Sequence, residues 1–182
     1  GAGPSLPDGY NRAVDGIPIG EAVGSCGTAA FRAQPVIVED IASDPLWANF
    51  TGLALQYGLK ACWSTPILNQ EGRVLGTFAL YPYECSRPSA LHMEQIAVAT
   101  DVSAIAITRH REESALRESE TRFRQLFEVA PMPLGLLNAD GRVIDLNRRF
   151  VETFGYTKED LPTIDAWWLC AYPDPDYRAW VV

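Results

Sequence analysis

The first half of the chain alternates short apolar runs with polar breaks. Residues 35–39 form an apolar, β-branched run that is typical of a strand. Two further apolar runs, 61–68 and 73–81, flank the polar sequence Asn-Gln-Glu-Gly at 69–72, whose composition favours a tight turn. The pattern therefore predicts one strand followed by a β-hairpin.

Three helices are predicted around these strands. A short helix is expected at 10–14, and a second at 28–32 with Ser25 as its N-cap. A third is expected between Asp44 and Gly58, because apolar residues recur there at spacings of four, three and four. These residues are Leu46, Phe50, Leu53 and Tyr57.

A long helix is predicted from residue 89 to about residue 129, a stretch without Gly or Pro. Its heptad pattern has two seam positions, and six of the ten seam residues are apolar. One position holds Gln95, Val102, Arg109, Leu116 and Phe123, and the other holds Val98, Ile105, Glu112, Ser119 and Leu126. This pattern resembles a coiled coil with a charged middle. A continuous dimeric connector is favoured over two separate helices joined end to end.

The second half begins with another predicted hairpin, strands 132–137 and 142–146 around the turn 138–141. A helix at 147–154 should end at Gly155. We expect Thr157 to cap a further short helix.

Composition excludes several function classes. The 182 residues carry a formal charge of −8 and no Lys/Arg cluster, which argues against nucleic acid and direct membrane contact. The longest apolar stretch, 96–107, contains Asp101 and is too short to span a bilayer. The chain opens on Gly and a loop-like sequence, so we expect a piece of a longer protein.

The four cysteines are widely spaced, with no Cys-x-x-Cys sequence and no neighbouring His pair. A metal site is therefore not expected. Reduced thiols and a cytoplasmic location are the default.

Two stretches resemble known sensory families. The strings GSCGTAAFRAQPVIVEDIASDPLW, GLKACWSTPIL and GRVLGTFALY, read in order from Gly24 to Tyr81, resemble the second half of a GAF domain. The later run ESETRFRQLFEVAPMPLGLLNADGRVIDLNRRFVETFGYTKEDL, with its Asn-x-x-Phe, Phe-Gly-Tyr and Glu-Asp-Leu elements, resembles the first half of a PAS domain.

The resemblance implies an α+β architecture in three parts, with both domains incomplete. Residues 1–110 would be the C-terminal portion of a GAF domain, an antiparallel sheet with flanking helices. Residues 111–127 would be a connecting signalling helix, and residues 128–182 the N-terminal portion of a PAS domain.

GAF pockets lie between the sheet and its covering helices, and the resemblance places six candidate ligand-binding residues there. They are Cys26, Asp40, Trp47, Cys62, Trp63 and Ser64. Simpler structural readings stay open: the tryptophans can serve as core packing, and Asp40 can cap the following helix. No motif identifies a cofactor, and an unidentified small-molecule ligand is compatible with the pocket.

By resemblance, the chain is the sensory input of a bacterial signalling protein whose effector is a histidine kinase, or a diguanylate cyclase or phosphodiesterase. We expect no catalysis in this segment and a homodimer formed through helix 89–127. The alternative is a GAF-type thiol enzyme resembling the free methionine sulfoxide reductases, because Gly24-Ser25-Cys26-Gly27 matches their Gly-x-Cys-Gly element. It would use Cys26, with Cys62 as its partner.

Overall fold

The computed structural model describes residue 3 and residues 5–181, so the loop expected at residues 1, 2 and 4 lies outside the described residues. The chain forms two compact units, Gly1–Glu112 and Glu113–Val182. It is a mixed α+β protein, which confirms the predicted fold class. The functional division into three parts stays a prediction.

The first unit contains a three-stranded antiparallel sheet in the order β1-β2-β3. Its elements are α1 (Asp8–Val14), α2 (Gly24–Arg32), β1 (Val36–Val38), a 3₁₀ turn (Pro45–Trp47), α3 (Thr51–Gln56), β2 (Cys62–Leu68) and β3 (Val74–Leu80). The predicted strands are confirmed, with Ser64 opposite both Val36 and Ala79.

The hairpin turn between β2 and β3 is built by Asn69. Its side-chain oxygen accepts hydrogen bonds from the backbone N–H groups of Glu71 (3.1 Å) and Arg73 (2.8 Å). Gly72 takes a φ of +75°, which glycine adopts without steric cost. A local polar sequence therefore specifies the turn, as predicted.

Two helix predictions in this unit need correction. Ser25 is not an N-cap: it lies inside α2, which begins at Gly24, and its hydroxyl is used by buried partners. The segment from Asp44 to Gly58 is not one helix, because a 3₁₀ turn and α3 are separate and α3 begins at Thr51. The four periodic apolar residues still pack against the core of the unit, as an amphipathic pattern requires.

The predicted long helix is confirmed as α4 (Ala90–Val129), 40 residues without interruption. Ile96 and Thr100, one turn apart, are buried. Two side-chain contacts tie α4 to the sheet: the ring of His92 lies 5.3 Å from that of Trp63, and the Arg111 guanidinium donates to the Leu75 carbonyl at 3.3 Å.

The second unit contains a two-stranded antiparallel sheet and three further helices. Its elements are β4 (Gly135–Leu137), β5 (Val143–Leu146), α5 (Arg148–Phe154), α6 (Ile164–Ala171) and α7 (Pro175–Val181). Asn138 builds the hairpin turn as Asn69 does in the first unit, by accepting from two backbone N–H groups. Thr157 does not cap a helix, because residues 158–160 form a turn in which the Asp160 carboxylate accepts from Thr157.

Asn147 organises the core of the second unit and caps α5. Its side-chain oxygen accepts from the N–H groups of Leu134 and Phe150, each at 2.9 Å. Its side-chain nitrogen donates to the carbonyls of Phe127 and Met132, each at 3.0 Å. This side chain is fully buried, and its four hydrogen bonds all join it to backbone groups.

Candidate ligand cavity and thiol cluster in the first unit

A cavity of about 460 Å³ lies in the first unit between α1, α2 and the sheet. Most of its wall is apolar, and polar groups are contributed by Cys26, Asn11, Thr77 and Tyr81 among others. Its size falls in the range of small-molecule sites, and a mostly apolar wall with a few polar groups is typical of such sites.

Two buried side chains and one backbone carbonyl position the start of α2 against the sheet. The indole N–H of Trp47 donates to the Ser25 hydroxyl at 3.0 Å, and that hydroxyl donates to the Cys62 carbonyl at 3.3 Å. Gly24, with a φ of +57°, allows the chain to turn into the helix. This chain of hydrogen bonds fixes Cys26, the next residue, in the first turn of α2.

The Cys26 thiol contacts two other titratable side chains. Its Sγ lies 3.3 Å from the hydroxyl oxygen of Tyr81, and the Cys62 thiol lies near enough to lower its pKa. Cys62 is fully buried, whereas Cys26 is partly exposed and lines the cavity. The ring of Tyr10 packs edge-on against Tyr81, with centroids 5.8 Å apart.

The side chains of Cys62 and Tyr81 stabilise the thiolate form of Cys26. The interaction with Cys62 and then that with Tyr81 outweigh desolvation and lower the pKa of Cys26 to about 6. Its place in the first turn of α2 acts in the same direction, because the helix dipole stabilises anions there. Burial raises the pKa of Cys62 and of Tyr81, and it raises the pKa of Tyr10 to about 12. At neutral pH the cavity therefore holds a thiolate beside protonated donors.

The six sequence-predicted residues fall into four places. Cys26 and Trp47 line the cavity, and Cys62 and Ser64 are buried on the same face of β2, since side chains alternate along a strand. Trp63 faces the other side, where its indole N–H donates to the Ser86 carbonyl at 2.9 Å. Asp40 is partly exposed and accepts from the Ala42 N–H and the Ser43 hydroxyl. Their role as ligand contacts stays a prediction.

Tyr81 belongs to the thiol cluster, but the sequence pattern does not indicate it. The hairpin register pairs Trp63 with Leu80, so Tyr81 follows opposite Cys62. Counting back from the predicted turn at 69–72 would pair Cys62 with Ala79 instead, because the sequence shows neither where the observed pairing begins nor the register shift between Ile67 and Leu68.

Ser64 and Thr65 each contain a buried hydroxyl without a hydrogen-bond partner among the described residues. Such groups are rare in folded proteins because each costs desolvation free energy. Within the described residues, no group of His, Cys, Asp and Glu could hold a metal ion, and no helix is long and apolar enough to cross a membrane.

Comparison with known families matches both units. The GAF domain model matches residues 4–108, and a PAS domain model matches residues 121–181. The two domains are therefore present in tandem.

A curated relative and a solved structure are both described as sensors. The methyl sulfide methyltransferase-associated sensor of Methanosarcina acetivorans is 37% identical over 167 residues, 91% of this chain. The chain spans 17% of the length of that relative. A domain of a two-component sensor histidine kinase protein from Sinorhizobium meliloti is 25% identical, with a TM-score of 0.51 over 64% of this chain and 72% of that one.

A third similar structure is a type II free methionine-R-sulfoxide reductase from Thermoplasma acidophilum. It is 19% identical and has a TM-score of 0.42, covering 52% of this chain and 63% of that one. This likeness is too weak to bear on activity. By its sequence over residues 4–108, the chain belongs to the GAF domain family, followed in tandem by a PAS domain.

Proposed function

We propose that this chain is a sensory input and relay region in which the state of the GAF cavity changes the packing of α4. The effector that reads α4 is of the histidine kinase or diguanylate cyclase type. The likeness to a domain of a sensor histidine kinase protein supports the first of these.

The observation that carries the relay proposal is the exposure of the α4 seam. All six apolar seam residues are more than half exposed: Val98, Val102, Ile105, Leu116, Phe123 and Leu126. Exposed apolar residues at heptad spacing are typical of a coiled-coil interface. We propose that a second copy of this chain covers them, so that the working form is a parallel homodimer through helix 89–127.

The first unit provides a path from the cavity to α4. Cys62 and Trp63 are neighbours on β2 and point to opposite faces of the sheet. Cys62 contacts Cys26 at the cavity, and Trp63 contacts His92 at the start of α4. A shift of β2 caused by events in the cavity would therefore move α4.

The dimer is tested by comparing Ile105→Glu with Ser114→Glu in the whole chain. Both changes add one carboxylate to an exposed position of α4, but only the first lies in the seam. Sedimentation equilibrium should show a wild-type dimer whose dissociation constant rises about a hundredfold or more in Ile105→Glu, since each copy loses one buried Ile. Ser114→Glu should leave it unchanged.

A monomeric wild-type chain at high micromolar concentration would contradict the dimer. So would an Ile105→Glu variant that dimerises as the wild type does.

The contact between Cys26 and Cys62 favours a second candidate, a thiol enzyme acting on free methionine sulfoxide. Turnover of the sulfoxide with a thiol reductant, abolished in Cys26→Ser, would support this function. Absence of turnover by the folded wild-type chain would reject it.

A further inference from the structure

The Cys26 sulfur differs from the other described thiols in its surroundings. It lines a cavity large enough for a small molecule, lies in the first turn of a nine-residue helix and is 3.3 Å from the Tyr81 hydroxyl. A second thiol, Cys62 of β2, is near enough to interact with it. We propose that Cys26 and Cys62 form a reversible dithiol–disulfide pair that is oxidised by hydroperoxides entering the GAF cavity. Its signalling consequence rests on the proposed relay function, whereas its chemistry does not.

Access assigns the two cysteines different roles. Cys26 is partly exposed and lines the cavity, so it meets the oxidant first. Cys62 is fully buried and has no access to solvent, so it reacts only with an oxidised Cys26 beside it. Cys85 and Cys170 are exposed surface thiols, which makes them internal controls within the same chain.

The reaction proceeds in two balanced steps. The Cys26 thiolate attacks the terminal oxygen of the hydroperoxide, an S–O bond forms, the O–O bond breaks, and the departing alkoxide takes a proton to leave as an alcohol, or as water when the oxidant is hydrogen peroxide. The Cys62 sulfur then attacks the sulfenic acid of Cys26. An S–S bond forms, the S–O bond breaks, and water leaves. Two thiols are oxidised and one peroxide is reduced.

Neighbouring hydroxyl groups suit an oxygen atom added to Cys26. Tyr81 stays protonated, because burial raises its pKa, and it can donate to the sulfenate oxygen. The fully buried Ser64 hydroxyl lies near Cys26 without forming a hydrogen bond in good geometry, so it is available as a second donor. Cys26 thus lies beside hydroxyl donors that the reduced state does not fully use.

Disulfide formation would act directly on β2. It would replace a thiolate and its hydrogen bonds by a covalent link between α2 and the strand residue that precedes Trp63. Because Trp63 contacts His92, the same change reaches the first turn of α4.

The test uses the whole reduced chain, stoichiometric hydrogen peroxide, thiol alkylation and peptide mapping by mass spectrometry. We expect a Cys26–Cys62 linked peptide pair, lighter by two hydrogens and restored by dithiothreitol. In Cys62→Ser, dimedone should trap a sulfenic acid on Cys26. In the double variant Cys85→Ser/Cys170→Ser, the disulfide should form as in the wild type.

The pH profile of Cys26 oxidation tests for its thiolate form. The titratable groups facing Cys26 are Cys62 of β2, Tyr81 after β3 and, through Tyr81, Tyr10 of α1, and Asp15 lines the same cavity. With a pKa of about 6, the Cys26 rate should be flat above pH 7 and fall roughly tenfold per pH unit below pH 6.

The proposal is overturned if Cys26 and Cys62 stay reduced in the wild type while Cys85 or Cys170 is oxidised. It is also overturned if the linked pair contains another cysteine. Since the map is made on the wild-type chain, a variant that fails to fold does not affect this result.

Hydrogen exchange of residues 89–127, measured in the same samples, separates the two proposals. A disulfide that leaves α4 exchange unchanged supports the thiol chemistry and rejects the relay. Absence of the disulfide rejects the thiol chemistry, whatever the result of the dimer test.

Discussion

The buried side chains of Asn147 in the PAS unit and Ser64 in the GAF unit differ in how fully they are hydrogen-bonded. In the PAS unit, Asn147 is fully buried and makes four hydrogen bonds, all to backbone groups. In the GAF unit, the buried hydroxyl of Ser64 has no hydrogen-bond partner within the part of the chain that the structure describes, and the lowered pKa of the neighbouring Cys26 favours a charged thiolate. A fully satisfied buried group stabilises a fold, whereas an incompletely satisfied one costs free energy and leaves hydrogen-bonding capacity for a ligand.

The largest effect is expected at Asn147. Asn147→Ala would remove the side-chain partner of two carbonyls and of the Leu134 and Phe150 N–H groups, of which only the Phe150 N–H keeps a backbone acceptor, and we expect the free energy of unfolding to fall by about 4 kcal/mol. Urea denaturation measures the loss, and hydrogen exchange should localise it to residues 113–181. Asn138→Ala, an exposed turn position, is the control and should cost about 1 kcal/mol. Equal effects at the two positions would contradict the structural role of Asn147.

The charge on Cys26 predicts a stability that depends on pH. The folded state lowers the pKa of this thiol to about 6, so it loses its proton before the unfolded chain does, and stability rises from about pH 6 until the unfolded thiol titrates near pH 8.5. The raised pKa of Cys62 opposes this only above the latter pH. Between pH 6 and 8 the wild type should gain about 2 kcal/mol over Cys26→Ser, measured by urea denaturation. Parallel pH curves would show that Cys26 is not a buried thiolate.

A smaller effect is expected when the hydrogen-bond chain that positions Cys26 is shortened. Trp47→Phe removes the donor to Ser25 and should cost about 1–2 kcal/mol. It should also change the rate at which iodoacetamide alkylates Cys26. Trp63→Phe removes an indole hydrogen bond on the opposite face of the sheet, so it should leave that rate unchanged. If Cys26 were alkylated at the same rate in both variants, Trp47 would have no role in positioning the Cys26 thiol.

The smallest effect is expected at Ser64. Ser64→Ala deletes a buried hydroxyl that has no hydrogen-bond partner among residues 3 and 5–181, so the free energy of unfolding should change by less than about 0.5 kcal/mol or rise slightly. Thermal denaturation measures this change, and dimedone trapping in Cys62→Ser shows whether the sulfenic acid still accumulates. A loss of unfolding free energy as large as that expected for Asn147→Ala would contradict the contrast drawn between Ser64 and Asn147.

Local features of the fold were predictable from the sequence, and tertiary ones were not. The turns at Asn69 and Asn138 were found because each side chain bonds its own neighbouring backbone. The same local rule failed for Ser25. Its hydroxyl accepts from the Trp47 indole N–H and donates to the Cys62 carbonyl, and both residues are distant from it in sequence. A capping prediction from local sequence cannot include such partners.

The candidate site was likewise predictable only in part from the sequence. Resemblance to the family placed Cys26 and Trp47 near the pocket, where the structure has them. The lowered pKa of Cys26 was not foreseeable, because it depends on Cys62 and Tyr81 meeting it in three dimensions. The spacing of these three residues along the chain does not indicate that they lie together.

The unbroken course of α4 constrains how related chains can change in length. One residue inserted into its exposed segment, 109–120, would turn every later side chain by about 100° and displace it by about 1.5 Å. Seven residues would return the apolar seam almost to its original face, whereas two or five would place it on another. Homologous proteins that differ in this segment should therefore differ by multiples of seven residues.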